Sequence, residues 1–124
     1  MKKYISTTHA PAAVGPYNQA VLSGNTLYLS GQIGLNPQTQ RMETSFDEQT
    51  NRVFANIRAI LDEAGYTFAD VVKTTVYLTD MSNFARLNEL YGTFFQPPYP
   101  ARSCVAVTAL PKDALVEIEV VAEK

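Results

Sequence analysis

Leu115-Val116-Glu117-Ile118-Glu119-Val120-Val121-Ala122, the last apolar stretch of this 124-residue chain, sets the architecture. In an extended strand its side chains alternate, so Val116, Ile118, Val120 and Ala122 share one face. That face is wholly apolar and calls for a cover of helices. The opposite face carries Leu115, Glu117, Glu119 and Val121, a mixture of apolar groups and charge. Such a surface is better covered than wet, which predicts that copies of the chain pack together on it.

The pattern continues outward from this strand. Leu110-Pro111-Lys112-Asp113 reads as a turn, preceded by a strand over 101–108 with Arg102, Cys104, Ala106 and Thr108 on one face. Residues 71–79 are rich in β-branched side chains and form another strand. Its alternation puts Val72, Thr74, Val76 and Leu78 on one face and Val71, Lys73, Thr75 and Tyr77 on the other. A helix starts near Ser82-Asn83 with Phe84, Leu87, Tyr91 and Phe94 as its inner stripe, and Pro97-Pro98 forbids its continuation.

The clearest helix lies earlier. Ser45-Phe46-Asp47-Glu48 has capping-box spacing. Phe46, Val53, Ile57, Ile60, Leu61 and Ala64 recur at helical intervals, and Gly65 suits a left-handed C-cap. Ser23-Gly24-Asn25 separates the apolar runs 20–22 and 26–30, a hairpin signal. Residues 1–18 read as a short strand and a loop closed by Gly15-Pro16-Tyr17, while Gly31, Gly34 and Pro37 mark a long loop. The order is ββαβαββ with a short strand ahead of it. This predicts a single α+β domain over 1–124, one mainly mixed sheet with two helices on one face.

Composition narrows the function. Apolar residues make up 46% of the chain and charged residues 18%, a globular balance. No apolar run approaches the ~20 residues needed to span a bilayer, and Lys2-Lys3 leads into no apolar signal segment. The expected location is the cytoplasm. Cys104 is the single cysteine and His9 the single histidine, so neither an internal disulfide nor a zinc constellation can be built. The net charge of -2 and the absence of any Lys/Arg run argue against a dedicated nucleic-acid binder. Neither GxxxxGK[ST] nor GxGxxG occurs.

Four positions invite chemistry. Arg102 follows the rigid Pro98-Tyr99-Pro100-Ala101 entry to its strand. Its guanidinium is suited to grip a carboxylate through two parallel hydrogen bonds, or to form a surface ion pair with Glu117 or Glu119. Glu117 stands among apolar residues, where desolvation favours its neutral form. It reads either as a general base on water or as a solvated glutamate of an exposed face, and Glu119 rivals it for the first role. Cys104 lacks a base to make a thiolate, and the pattern favours a small packed residue over a nucleophile. Gly31, in Ser30-Gly31-Gln32, permits close approach of a ligand to the backbone.

Taken together, these stretches resemble the RidA family, also known as YjgF and UK114. Ala101-Arg102-Ser103-Cys104-Val105, Leu110-Pro111-Lys112-Asp113 and Val116-Glu117-Ile118-Glu119 match its C-terminal signature. Residues 10–17, Ser30-Gly31-Gln32 and 72–77 match its N-terminal and central motifs. The likeness runs from about residue 5 to residue 122. It implies a chorismate-mutase-like fold assembled as a homotrimer with clefts between subunits, and hydrolysis of 2-imino acids such as 2-iminobutanoate and 2-iminopropanoate to 2-oxo acids and ammonia. These imines escape from pyridoxal-phosphate-dependent dehydratases. The resemblance implies no metal or organic cofactor. It places the carboxylate-binding arginine on Arg102, the water-positioning glutamate on Glu117, and pocket-lining positions on Tyr17, Ser30, Gly31, Asn88 and Cys104. Two other readings stay open: a non-catalytic binder of small 2-oxo or amino acids, and an endoribonuclease, which the acidic balance disfavours.

Overall fold

The computed structural model describes residues 1–124. Eight elements follow in order: β1 (Lys2–Ile5), β2 (Ala20–Ser23), β3 (Thr26–Ile33), α1 (Phe46–Ala64), β4 (Val71–Leu78), α2 (Phe84–Tyr91), β5 (Ala101–Ala106) and β6 (Val116–Glu123). The strands form one sheet in the order β1-β2-β3-β6-β4-β5. β4 and β5 run parallel and every other neighbouring pair is antiparallel, so the sheet is mixed, as the sequence predicts. β6 lies inside the sheet and β5 forms an edge.

The core sits between this sheet and the helices. Val116, Ile118, Val120 and Ala122 are all sealed from solvent against it. α1 begins where the capping box predicts. Ser45 Oγ accepts from the Glu48 amide at 3.1 Å, and Glu48 Oε1 accepts from the Ser45 amide at 3.0 Å. It ends at Gly65, whose φ of 79° is the left-handed conformation glycine adopts without strain. Phe54 at the centre of α1 is fully buried and stacks on Phe94 at 4.3 Å. No helix is long and apolar enough to cross a membrane.

Three expectations need correction. The alternation of β4 breaks at its start, because Val71 pairs with Ala122 and Lys73 with Val121, two residues against one. This bulge turns Val71 into the core and leaves Val72 exposed, the reverse of simple alternation. Gly31 is not in a loop: β3 runs through it to Ile33, with a bulge between Leu29 and Gln32. α2 stops at Tyr91, so Phe94 reaches the core from the turn beyond the helix rather than from its stripe.

Candidate active site

The edge strand places the arginine. Arg102 lies level with Thr74 of β4, and Cys104 with Val76. Thr74 and Val76 are both buried, so Arg102 and Cys104 project on the helix face of the sheet. There the Arg102 Cζ lies over two rings of α2, 4.9 Å from the Tyr91 centroid and 5.6 Å from that of Phe84. The three ion pairs of the chain, Arg52–Glu43, Arg86–Asp47 and Arg86–Glu89, leave Arg102 free. The alternative of an ion pair with Glu117 or Glu119 therefore fails within one copy. Its cleft is lined by Asn88, Tyr91, Gly92, Tyr99 and Pro100. Cys104 is half-buried beside it; burial pushes the thiol up, and the nearby Arg102 only partly opposes this. Its sulfur is held as a thiol, in keeping with a packed residue.

Glu117 lies on the opposite face. It is level with Ile33 of β3 and Tyr77 of β4, away from the helices. Its carboxylate rests against Gly31, where any Cβ would overlap it. The glycine thus makes room for the glutamate's own side chain, not directly for a ligand. A cleft of about 540 Å³ opens here, with Tyr17, Ser30, Gly31, Lys112, Glu117 and Glu119 among its walls. Burial raises the Glu117 pKa above the ordinary value, and the neighbouring Glu119 charge raises it further.

The two glutamates are not equivalent. Tyr77 Oη donates to Glu119 Oε1 at 2.5 Å, which fixes Glu119 and pushes the Tyr77 phenol up. Glu117 is in none of the ion pairs of the chain and is left to face the cleft.

The loop bearing Tyr17 is tied down by a residue that pattern did not single out. Gln19, 4% exposed, accepts from the Thr7 amide at 2.7 Å and donates to the carbonyls of Thr7, Ala10 and Pro11. Ser30 Oγ donates to the Asn18 carbonyl at 2.6 Å, and Tyr17 Oη accepts from the Val14 amide at 3.4 Å. A glutamine between a loop and an apolar run carries no signal of this role. Phe84 and Tyr91 read as core from their spacing, yet they flank Arg102.

The predicted positions therefore fall into two groups. Asn88, Arg102 and Cys104 stand at the helix-side edge, whereas Tyr17, Ser30, Gly31 and Glu117 stand at the other cleft. One copy does not bring the groups together. Between them spreads the open face of the sheet, where Tyr28 and Val105 are 52% and 44% exposed.

The family model described as endoribonuclease L-PSP matches residues 7–124. A mouse protein named 2-iminobutanoate/2-iminopropanoate deaminase is 48% identical, the match covering 98% of this chain and 91% of that one. Other relatives, including one from Pyrococcus horikoshii at 48% identity, carry only the name RutC family protein. Among solved structures, RidA from Psychrobacter is 50% identical with a TM-score of 0.96, covering 98% of this chain and 99% of that one. E. coli TdcF with bound serine is 43% identical with a TM-score of 0.95, covering 98% of each. With the shared fold, sheet and near-complete coverage, the chain belongs to the endoribonuclease L-PSP family, the YjgF/RidA family whose members include imine deaminases.

Proposed function

We propose that the protein hydrolyses small 2-imino acids, such as 2-iminobutanoate and 2-iminopropanoate, to 2-oxo acids and ammonia, at sites completed between copies in a homotrimer. The observation that carries this reading is the separation of two complementary groups. Arg102, free of any ion pair, and Glu117, with a raised pKa, lie on opposite faces of one sheet. Packing copies on the open face buries Tyr28 and Val105 and sets the Glu117 cleft of one copy beside the Arg102 edge of the next. A closed cyclic assembly repeats that contact at every interface.

In this site the substrate carboxylate takes the edge of Arg102 in a bidentate pair. Its C=N carbon then stands beside Glu117 of the neighbouring copy, which holds a water. Glu117 takes a proton from the water as the oxygen bonds to the iminium carbon, giving a carbinolamine. The same carboxyl returns the proton to nitrogen, and the C–N bond breaks as ammonia leaves. The hydroxyl proton is lost to solvent and the 2-oxo acid remains. A raised Glu117 pKa strengthens the base. The protonated imine is already electrophilic, so positioning supplies most of the acceleration. The chemistry asks for no metal or organic cofactor, and Cys104 contributes backbone rather than sulfur.

The test is a coupled assay in which a dehydratase makes the imine from threonine and 2-oxobutanoate formation is followed. Acceleration lost in Arg102→Ala and Glu117→Ala supports the reading; unchanged turnover in both overturns it. The serine bound to TdcF favours a second reading, a non-catalytic binder of amino or 2-oxo acids. That reading predicts ligand affinity retained in Glu117→Ala, with no imine turnover in the parent.

A further inference from the structure

We infer that Phe84 and Tyr91 are positioning residues for Arg102, forming an aromatic clamp that fixes the guanidinium without using its hydrogen-bond donors. The inference rests on the reading of Arg102 as a carboxylate anchor. An arginine at a strand edge with no ion-pair partner would ordinarily sample several rotamers, and ordering it on binding would weaken the complex. Here Cζ lies over two rings of the same helix. A guanidinium interacts with a ring through its face, whereas its N–H donors lie in its plane. The clamp thus holds the charge and leaves the donor edge for a carboxylate. An anchoring carboxylate of the chain itself would instead compete with the ligand.

The clamp is itself fixed. Tyr91 is almost fully buried, and its hydroxyl shares a hydrogen bond of 2.8 Å with Thr74 Oγ1. Thr74 is the residue of β4 level with Arg102. A strand residue, its helix partner and the neighbouring strand's arginine therefore form one closed unit. This explains a tyrosine hydroxyl within an apolar stripe: it sets the height of the ring on which the arginine rests.

Phe84 is 38% exposed, so Phe84→Leu is the variant that tests the clamp without emptying the core. The affinity for 2-oxobutanoate is measured by calorimetry, and the Arg102 Nε–H resonance is followed by NMR in the full-length protein. Phe84→Leu is expected to raise Kd by about tenfold and to move the Nε–H resonance away from its ring-shifted position, with little change in Tm. Tyr91→Phe, which keeps the ring but loses its bond to Thr74, is expected to raise Kd by less than Phe84→Leu does, whereas Tyr91→Leu weakens binding as much as Phe84→Leu. Parental affinity in Phe84→Leu, or an unmoved Nε–H resonance, overturns the clamp. If the parent itself does not bind 2-oxobutanoate, the anchor reading falls, and the Nε–H resonance alone decides whether the clamp exists.

Discussion

Adjacent residues of β6 live under different conditions. Val116, Ile118, Val120 and Ala122 are sealed by the helices of their own copy, while Glu117, Glu119 and Val121 on the same strand stay only half-buried. The first face holds the fold together through apolar burial. The second joins exposed Tyr28 and Val105 to a carboxylate of raised pKa, a combination that a lone protomer has no structural need of. The contrast teaches that β6 gives one face to the core and the other to a carboxylate that the core does not use. In the proposed assembly the arginine of the helix side meets the glutamate of the open side only across a boundary between copies.

The largest effects should fall on the two residues that this division separates. Arg102→Ala and Glu117→Ala are each expected to lower imine hydrolysis by about a hundredfold or more, with the fold retained. Parental turnover in either variant would break the comparison. Stability should respond the other way. Phe54→Ala, under the helix face, is expected to cost about 3–5 kcal/mol in urea unfolding. Tyr28→Ala should cost the protomer no more than about 1 kcal/mol but weaken self-association in sedimentation. Equal losses at the two sites would erase the distinction between the faces.

Gly31→Ala sharpens the comparison within the open face. A Cβ there displaces the Glu117 carboxylate, so turnover should fall by about tenfold or more while the fold persists. The smallest expected effect is a pH dependence. The Glu117 pKa is raised in the folded protein, so its ionised form is disfavoured there, and it opposes folding once the pH exceeds the ordinary value of 4.5. Glu117→Gln should therefore have the higher Tm at pH 7. The difference should close as the pH falls below the ordinary glutamate value, where both forms are neutral. A gap that widens on acidification would give the shift the opposite sign.

Much of the fold was legible because local chemistry dictates it. The capping box at Ser45 and Glu48, the left-handed Gly65 and the alternation of β6 each act within a few residues. The phase of β4 was not legible, since the bulge at Val72 arises from pairing with β6 and leaves a β-branched run unmarked. The extension of β3 through Gly31 was hidden for a related reason: glycine reads as a break, yet here it yields space to Glu117 from another strand. The site was legible by halves. Periodicity places Arg102 and Glu117 on particular faces, and the motifs single both out. Period alone does not say that Phe84 and Tyr91 lie under the guanidinium.

The division between copies is tested most directly by complementation. Arg102→Ala and Glu117→Ala chains carrying different tags are co-expressed, and oligomers containing both are isolated and assayed for imine hydrolysis. In a closed ring each site takes its arginine from one copy and its glutamate from the next. In a trimer that contains both variants, about one interface in three then has both groups intact. The predicted result is recovery of roughly a third of the parental activity from two variants that are inactive alone. Mixed oligomers as inactive as either pure variant would contradict a site shared between copies.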